Sequence, residues 1–165
     1  MIRTAILTVS DKGAAGTRED VSAGEVRALL GEGFSETAYE IVPDDPEQVG
    51  AQLTAWADSG VVDLVITTGG TGLAPRDRTP EATRTILDFE VPGLAEVMRA
   101  EGVKKNPKAA LSRGLVGARK ETLIVNLPGS PKGAKESLEA ILGVLPHAID
   151  TLKAEKQNAP EDWHQ

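Results

Sequence analysis

The residue types best suited to phosphate chemistry are concentrated in segment 67–83, whose sequence is TTGGTGLAPRDRTPEAT. Glycines let the backbone approach a ligand closely, and successive backbone N–H groups can form a concave site for an anion. A tight turn without a ligand would explain an isolated GGTG sequence equally well. The residues that follow the glycines therefore decide between the two interpretations. The predicted phosphate-binding turn consists of Gly69, Gly70, Thr71 and Gly72.

Two arginines and a carboxylate follow this turn within a few residues. The guanidinium group matches the geometry of phosphate oxygens, and Mg²⁺ prefers one or two carboxylates together with substrate phosphates. Arg76 and Asp77 therefore favour a site for Mg²⁺ and a phosphorylated ligand. A solvated charge run would explain Arg78, but it explains the whole combination less well.

A second pair of carboxylates, Asp44 and Asp45, lies between two prolines at the end of a predicted strand. Aspartate directly before a Pro-Glu helix start is a common N-cap, so we assign that structural role to Asp45. Asp44 then has no structural role as a cap, and its carboxylate is available for a ligand. If its strand lies near the strand that precedes the GGTG turn, Asp44 and Asp77 face each other across one sheet edge and share a metal ion.

Two further strands end in turns of similar character. Thr8, Ser10 and Asp11 close the first predicted strand, and the sequence NLPGSP at 126–131 connects an apolar strand to a helix. Helix N-termini favour anions, although Ser130 as an ordinary N-cap explains the second turn equally well. Three such turns at one edge of a parallel sheet predict a large polar pocket. The candidate residues of the second turn are Asn126, Pro128, Gly129 and Ser130.

Four polar residues outside these turns are weaker candidates. Ser112 and Arg113 offer a hydroxyl and a guanidinium to another phosphate, although such a pair usually lies on the surface. His147 belongs to the apolar final helix and is predicted to pack or cap, whereas His164 falls in the tail. Neither histidine has the neighbours of a catalytic triad or a zinc site.

An alternation of strands and helices must position these turns, and it predicts an α/β fold with a mostly parallel sheet. Asp20 or Ser22 is predicted to cap the first helix and Thr79 the third, and Pro146 is predicted to bend the last. The predicted strands are residues 3–9, 37–42, 61–67, 115–118 and 122–126. The predicted helices are residues 20–30, 47–57, 80–89, 92–102, a short one around 111–113, and 132–153.

Length and composition limit the classes of protein that fit. The 165 residues suffice for one domain, predicted at 1–153, with a loose tail at 154–165. The chain has no cysteine, which excludes thiolate catalysis, and its formal net charge of -7 argues against nucleic-acid binding. Because neither a secretory signal nor a membrane span is recognisable, we expect a cytoplasmic protein. The dinucleotide-binding and P-loop signatures are also missing.

The motifs, taken in order, resemble those of the MogA-type molybdopterin adenylyltransferases and of the G domain of gephyrin. The resemblance covers nearly the whole chain. Its motifs are AILTVSD at 5–11, IVPDD at 41–45, the 67–83 segment, LSRG at 111–114, TLIVNLPGSPKG at 122–133 and LPHAID at 145–150.

The resemblance implies a three-layer α/β/α sandwich of the molybdenum cofactor biosynthesis type, usually a homotrimer. Its members transfer AMP from Mg-ATP to the terminal phosphate of molybdopterin and release pyrophosphate. By motif, Asp44 and Asp77 would serve catalysis and Mg²⁺ placement, and the three strand-end turns would form the nucleotide walls. Ser112 and Arg113 match the LSR motif on the pterin side. The molybdate-inserting protein and molybdopterin synthase are the partner proteins to expect.

One departure and two alternatives accompany the resemblance. Some relatives carry a serine where Glu101-Gly102 stands here, so one contact to the pterin differs. The MoaB-type branch and the molybdate-inserting domain share the glycine turns, but they usually replace the Pro-Arg-Asp sequence that is intact at 75–77. A noncatalytic trimeric molybdopterin-binding or scaffold protein is the other alternative. We favour the adenylyltransferase because no linker or second domain is evident.

Overall fold

Four parallel strands and an antiparallel pair at one edge form a single six-stranded sheet in a computed structural model that describes residues 1–154. The strand order is β2-β1-β3-β6-β5-β4. Strands β1, β2, β3 and β6 run parallel, whereas β5 is antiparallel to both β6 and β4. The strands are β1 (Ile2–Val9), β2 (Phe34–Val42), β3 (Leu64–Thr68), β4 (Phe89–Glu90), β5 (Val116–Arg119) and β6 (Thr122–Leu127).

Helices cover both faces of the sheet, which confirms the predicted three-layer α/β/α class. Successive strand residues point to opposite faces, so Ile6 and Ile66 belong to one core and Leu7 and Val65 to the other. The helices are α1 (Asp11–Ala14), α2 (Val21–Leu30), α3 (Pro46–Asp58), α4 (Thr79–Ile86), α5 (Pro92–Lys105), α6 (Pro131–Ile141) and α7 (Leu145–Lys153). The first core is closed by α2, α5, α6 and α7, and the second by α3 and α4.

Several predicted caps and bends are present. Asp45 caps α3 by accepting a hydrogen bond from the Glu47 N–H, and Asp20 caps α2. The bend predicted near Pro146 is a 3-10 turn, Leu142–Val144, that separates α6 from α7. The predicted tail lies outside the described residues except for Ala154, and so does His164.

Other local predictions were wrong. The predicted 80–89 helix ends at Ile86, because Phe89–Glu90 pairs with β5 as an edge strand. Thr79 is the first residue of that helix and makes no side-chain cap. The short helix predicted around 111–113 is a 3-10 helix at Pro107–Leu111. It begins earlier in the chain than predicted because Pro107 is favoured at the first position of a helix. The turn predicted after β1 is the short helix α1, which Ser10 caps.

The position of His147 also differs from the prediction. The side chain is exposed on α7, so it neither packs in the core nor caps a helix. The buried positions of this helix are Leu145 and Ile149, four residues apart on one face. His147 lies off that face, which explains its exposure.

A buried carboxylate holds the amino-terminal end of the sheet together, and it supports a first prediction. Asp63 accepts hydrogen bonds from the backbone and guanidinium of Arg3 and pairs with Lys153 at 2.7 Å. Burial opposes its ionised form, but the bonds from Arg3 and Lys153 prevail and hold the pKa of Asp63 well below its usual range. Asp63→Asn is therefore expected to lower the free energy of unfolding by about 2 kcal/mol at pH 7.

Urea unfolding as a function of pH tests this expectation. Because the folded-state pKa is depressed, the stabilisation is present above the unfolded pKa of about 4 and disappears as pH falls below it. The difference between wild type and Asp63→Asn should therefore shrink between about pH 5 and pH 2. Asp150→Asn, at an exposed position of α7, is the control and should show no such convergence. A difference independent of pH would contradict the ion-pair explanation.

Candidate functional site

The carboxyl ends of the parallel strands bring the predicted turns together. Strand β1 lies between β2 and β3, so the chain crosses from one side of β1 to the other between these two strands. In open α/β sheets, ligands bind in the crevice at such a switch point. Strand β6 is the next neighbour of β3 and adds the NLPGS turn to the same edge. The three turns therefore form one contiguous surface, as the sequence predicted.

The glycines of the GGTG turn are required by backbone geometry. Gly69 and Gly70 have φ angles of 96° and 69°, in the left-handed region that side chains disfavour. A Cβ atom on Gly69 would overlap the carbonyl oxygen of Val9, and one on Gly70 would overlap the Thr79 hydroxyl. On Gly129 a Cβ would lie 3.2 Å from Gly69 Cα. The GGTG and NLPGS turns are therefore in close backbone contact.

Hydrogen bonds fix the orientation of the peptide groups in the GGTG turn. The Gly70 carbonyl accepts from the Thr79 N–H at 3.1 Å, and the Thr71 carbonyl accepts from the Arg113 N–H at 2.8 Å. The Gly72 carbonyl accepts from Arg113 Nε at 2.9 Å. Because the C=O and N–H groups of a trans peptide point in opposite directions, the N–H groups that follow these carbonyls point away from Thr79 and Arg113.

Arg113 holds the loop in shape. Besides Gly72, its guanidinium donates to the Asp77 carbonyl at 2.7 Å and to the Glu81 carboxylate at 2.6 Å. The sequence suggested Arg113 as a phosphate ligand, but these bonds make it a clamp across the loop. Glu81 was missed because it lies far from Arg113 in sequence and no local pattern connects the two. The clamp fixes the backbone on both sides of the Arg76-Asp77 dipeptide.

The clamp leads to a second prediction. Arg113→Lys keeps the charge, but an ammonium group lacks the planar fork that serves three acceptors at once. We expect the variant to unfold about 1–2 kcal/mol more easily and segment 70–78 to exchange its amide hydrogens faster. Arg84→Lys is the matched control, because Arg84 has a single exposed ion pair at 3.4 Å to Glu90. Unchanged exchange in segment 70–78 would contradict the clamp.

The two predicted catalytic carboxylates lie at the same crevice. Asp44, at the end of β2, and Asp77, after the GGTG turn, line one cavity together. Burial raises the pKa of the Asp44 carboxyl, and the negative charges of Asp11 and Asp77 raise it further. The charged form of this half-buried carboxylate is therefore disfavoured by its surroundings. Asp77 also accepts the Ala74 N–H at 3.0 Å, which fixes its orientation.

Asp11 and Arg76 form an ion pair outside the cavity walls. Arg76 donates twice to the Asp11 carboxylate, at 2.6 and 2.8 Å, and both side chains are exposed. The guanidinium of Arg76 lowers the pKa of Asp11. Asp11 and Asp44 also exchange reciprocal bonds, since each carboxylate accepts the backbone N–H of the other at 3.0 Å. Asp11 therefore connects Arg76 to Asp44. Arg76, which was predicted to bind phosphate, is paired with Asp11 in this structure.

A hydrogen-bond network that was not predicted surrounds Thr8. Its hydroxyl donates to Asp20, which also accepts from the Tyr39 hydroxyl and from the Ala23 N–H. Burial, followed by the bond to Asp20, raises the pKa of Tyr39 to about 12. Asp20 lines the cavity with Thr8 and Ser10. The sequence marked Asp20 only as a cap, because its partners lie on β1 and β2.

The NLPGS turn is partly structural. Asn126 is buried, and its amide donates to Thr67 and Thr83 while its oxygen accepts the Leu115 N–H at 3.3 Å. Ser130 caps α6 by accepting the Gly133 N–H at 3.1 Å, as the simpler interpretation proposed. Asn126 therefore ties β6 to its neighbours, and Ser130 starts the helix whose end faces the crevice.

Two cavities meet at the turns. One, of about 540 Å³, lies over β1 and β3 and is lined by Thr8, Ser10, Asp20, Asp44 and Gly69. The other, of about 470 Å³, lies between α5, α6 and the 3-10 helix at Pro107–Leu111. The sequence missed the basic side chains of the second cavity, which come from separate elements: Arg99, Lys108 and Lys132. The residues shared by both cavities are Gly70, Asp77, Gly129 and Ser130.

The space around Gly102 leaves no room for the serine that some relatives carry at Glu101-Gly102. Gly102 is buried in the wall of the second cavity, and a Cβ there would lie only 2.8 Å from Ala109 Cβ. A serine at this position would require the Pro107–Leu111 helix to move away from α5. Ser112, beside that helix, lines the same cavity.

Comparisons with known proteins agree with this architecture. The profile of the family described as "Probable molybdopterin binding domain" matches residues 5–147, and the chain belongs to this family. A solved structure from Thermus thermophilus, described as the molybdopterin biosynthesis enzyme MoaB, is 59% identical, with a TM-score of 0.89, over 93% of this chain and 98% of that one.

Curated relatives carry more specific names. A molybdopterin adenylyltransferase of Helicobacter pylori J99 is 40% identical over 92% of this chain and 88% of its own length. The Drosophila melanogaster molybdenum cofactor synthesis protein cinnamon is 44% identical, but the chain spans only 24% of that protein. In residues 1–154, no helix is both long and apolar enough to cross a membrane.

Proposed function

We propose that this protein is a molybdopterin adenylyltransferase, which transfers AMP from Mg-ATP to the terminal phosphate of molybdopterin and releases pyrophosphate. The observation that carries the proposal is the meeting of two cavities at Gly70, Asp77, Gly129 and Ser130. A reaction that joins two phosphorylated substrates needs two pockets whose phosphate ends share one boundary. The names of relatives that are 36–40% identical support the same activity.

The nucleotide is assigned to the cavity over β1 and β3, and the pterin to the cavity beside α5. Backbone N–H groups of the GGTG turn, directed away from Thr79 and Arg113, suit the phosphates at the boundary. Arg99, Lys108 and Lys132 outnumber the acidic residues Asp77 and Glu136 in the wall of the second cavity. The excess of basic side chains suits the terminal phosphate of molybdopterin. Nucleotidyl transfer depends mainly on positioning and charge neutralisation, so no protein nucleophile is needed.

The residues present also fit Mg²⁺. Asp44 and Asp77 supply two carboxylates to one cavity, and burial together with neighbouring negative charge raises the pKa of Asp44. Mg²⁺ is usually held by one or two carboxylates together with substrate phosphates and water, so two protein ligands are sufficient. When bound, the ion would neutralise phosphate charge during transfer.

Three further expectations belong to this proposal. We place the protein in the cytoplasm and expect a homotrimer, in line with the exposed apolar side chains Leu73, Phe89 and Leu111. The molybdate-inserting protein and molybdopterin synthase are the proposed partners. Light scattering of the purified protein measures the subunit number directly, and a monomer at micromolar concentration would overturn the trimer.

A direct assay tests the activity. Purified protein is incubated with molybdopterin and ATP labelled at the α-phosphate, with and without Mg²⁺. We expect label to move to molybdopterin and pyrophosphate to form in equal amount, only when Mg²⁺ is present. If molybdopterin binds but no label is transferred, the noncatalytic alternative is correct and the proposal is wrong.

A further inference from the structure

One buried hydroxyl group, that of Thr79, lies beneath the GGTG turn. Among the buried side-chain nitrogen and oxygen atoms of residues 1–154, Thr79 Oγ1 is the one without a hydrogen-bond partner. The residue is 1% exposed, so water does not solvate the group. An unsatisfied buried hydroxyl destabilises the folded state, and each such group in a native structure calls for an explanation.

The backbone of Thr79 is fixed by its surroundings. The Thr79 N–H donates to the Gly70 carbonyl at 3.1 Å, and the Thr79 carbonyl accepts from the Thr83 hydroxyl at 2.8 Å. Thr83 in turn accepts from the Asn126 amide at 3.1 Å. These bonds anchor the first turn of α4 against β6 and the GGTG turn. The backbone of Thr79 is therefore held in place, and its hydroxyl can move only by rotation about the Cα–Cβ bond.

The Asp44 carboxylate lies in front of the hydroxyl. A Cβ on Gly70 would overlap Thr79 Oγ1, and the same point is 3.5 Å from Asp44 Oδ1. The absent side chain of Gly70 thus leaves a gap that the hydroxyl and the carboxylate face together. The second oxygen, Asp44 Oδ2, is held by the Asp11 N–H at 3.0 Å. Oδ1 is consequently the oxygen that a rotation of the carboxylate brings to Thr79.

A bound substrate cannot take the place of Asp44 as the partner. Thr79 is buried beneath Gly70 and forms no part of the wall of either cavity. Any effect of its hydroxyl on the reaction must therefore pass through a neighbouring group. Asp44 is suitable, because a hydroxyl donor stabilises a carboxylate that stands close to the negative charges of Asp11 and Asp77.

We infer that Thr79 is a positioning residue whose hydroxyl donates a hydrogen bond to Asp44 Oδ1 and fixes the orientation of that carboxylate. Held by Asp11 on one oxygen and by Thr79 on the other, Asp44 presents a constant geometry to the cavity. The catalytic consequence rests on the proposed adenylyl transfer, whereas the hydrogen bond itself does not.

Thr79→Val and Thr79→Ser separate the hydroxyl from the packing of the side chain. Valine replaces the hydroxyl by a methyl group of similar size, and we expect unfolding at a lower urea concentration, because the hydrogen bond to Asp44 is lost. The Asp44 carboxyl ¹³C resonance should shift in Thr79→Val and stay in place in Thr79→Ser. For adenylyl transfer, kcat should fall about tenfold in Thr79→Val, with the KM for ATP within twofold, and recover in Thr79→Ser.

Other outcomes overturn the inference. An Asp44 resonance and a kcat that are both unchanged in Thr79→Val would exclude a positioning role. A Thr79→Ser variant as impaired as Thr79→Val would contradict the inference, because serine keeps the hydroxyl that the bond to Asp44 requires. If Thr79→Val does not fold, the wild-type Thr79 hydroxyl proton decides: slow exchange and proximity to Asp44 support the bond, and fast exchange refutes it. If wild type lacks transfer but the Asp44 resonance responds to Thr79→Val, the proposed function fails and the bond stands.

Discussion

Asp77→Asn is expected to reduce the kcat of adenylyl transfer by about 100- to 1000-fold while leaving the fold intact. Asparagine has the same shape and can still accept the Ala74 N–H that Asp77 accepts at 3.0 Å, so the loop geometry should persist. What is lost is one of the two negative charges that Asp44 and Asp77 place in a single cavity. The reduction in kcat should be greatest at low Mg²⁺ concentration.

Asp45→Asn is the control for this charge change. Asp45 is next to Asp44 in sequence, but its carboxylate caps α3, and asparagine is an equally good cap. Steady-state assays at several Mg²⁺ concentrations should therefore give wild-type values for Asp45→Asn. Full activity of purified Asp77→Asn would refute the proposed role of Asp77, and an equal loss in both variants would indicate a general effect of charge.

Gly70→Ala is expected to have the largest effect on both folding and activity. Its φ of 69° is costly for alanine, and the added Cβ would overlap the Thr79 hydroxyl. We expect the free energy of unfolding to fall by roughly 2–4 kcal/mol and transfer to become undetectable, because the turn must open to admit the methyl group. Urea unfolding and the labelled-ATP assay measure the two effects.

Gly24→Ala provides the matched comparison. Gly24 is helical and exposed in α2, and a Cβ there would meet nothing within 4 Å. The same substitution should stabilise the protein by about 0.5–1 kcal/mol, because alanine favours a helix over glycine. If the free energy of unfolding changed in the same direction in both variants, backbone strain at Gly70 would not be the cause of the effect of Gly70→Ala.

The order of strands and helices was predictable because the turns separate short apolar segments, typical of strands, from segments whose apolar residues have helical spacing. Alternation along the chain predicted the parallel sheet, and the sheet placed the ends of β1, β3 and β6 at one edge. The edge strand β4 was not predictable. It has two residues, both exposed, and only its pairing with β5 distinguishes it from the end of a helix.

The candidate site also contains features that the sequence predicted and features that it did not. Local features that depend on neighbours in sequence, such as the tight turn at Gly70 and the helix cap at Asp45, are present as predicted. Side-chain contacts between distant segments were not predictable. Arg113 was assigned to a ligand although its acceptors are Glu81, Asp77 and Gly72, because local spacing carries no information about such contacts.

The backbone contact between Gly69 and Gly129 restricts how substrate choice can evolve in this fold. The boundary between the two cavities has no side chain that could be enlarged or trimmed at these positions, since a Cβ on either glycine would meet backbone atoms. Selection for a larger or smaller pterin can instead act on the wall of the second cavity between α5 and the Pro107–Leu111 helix, where Gly102 faces Ala109. Libraries for altered specificity belong at that wall, and the glycine turns should be left invariant.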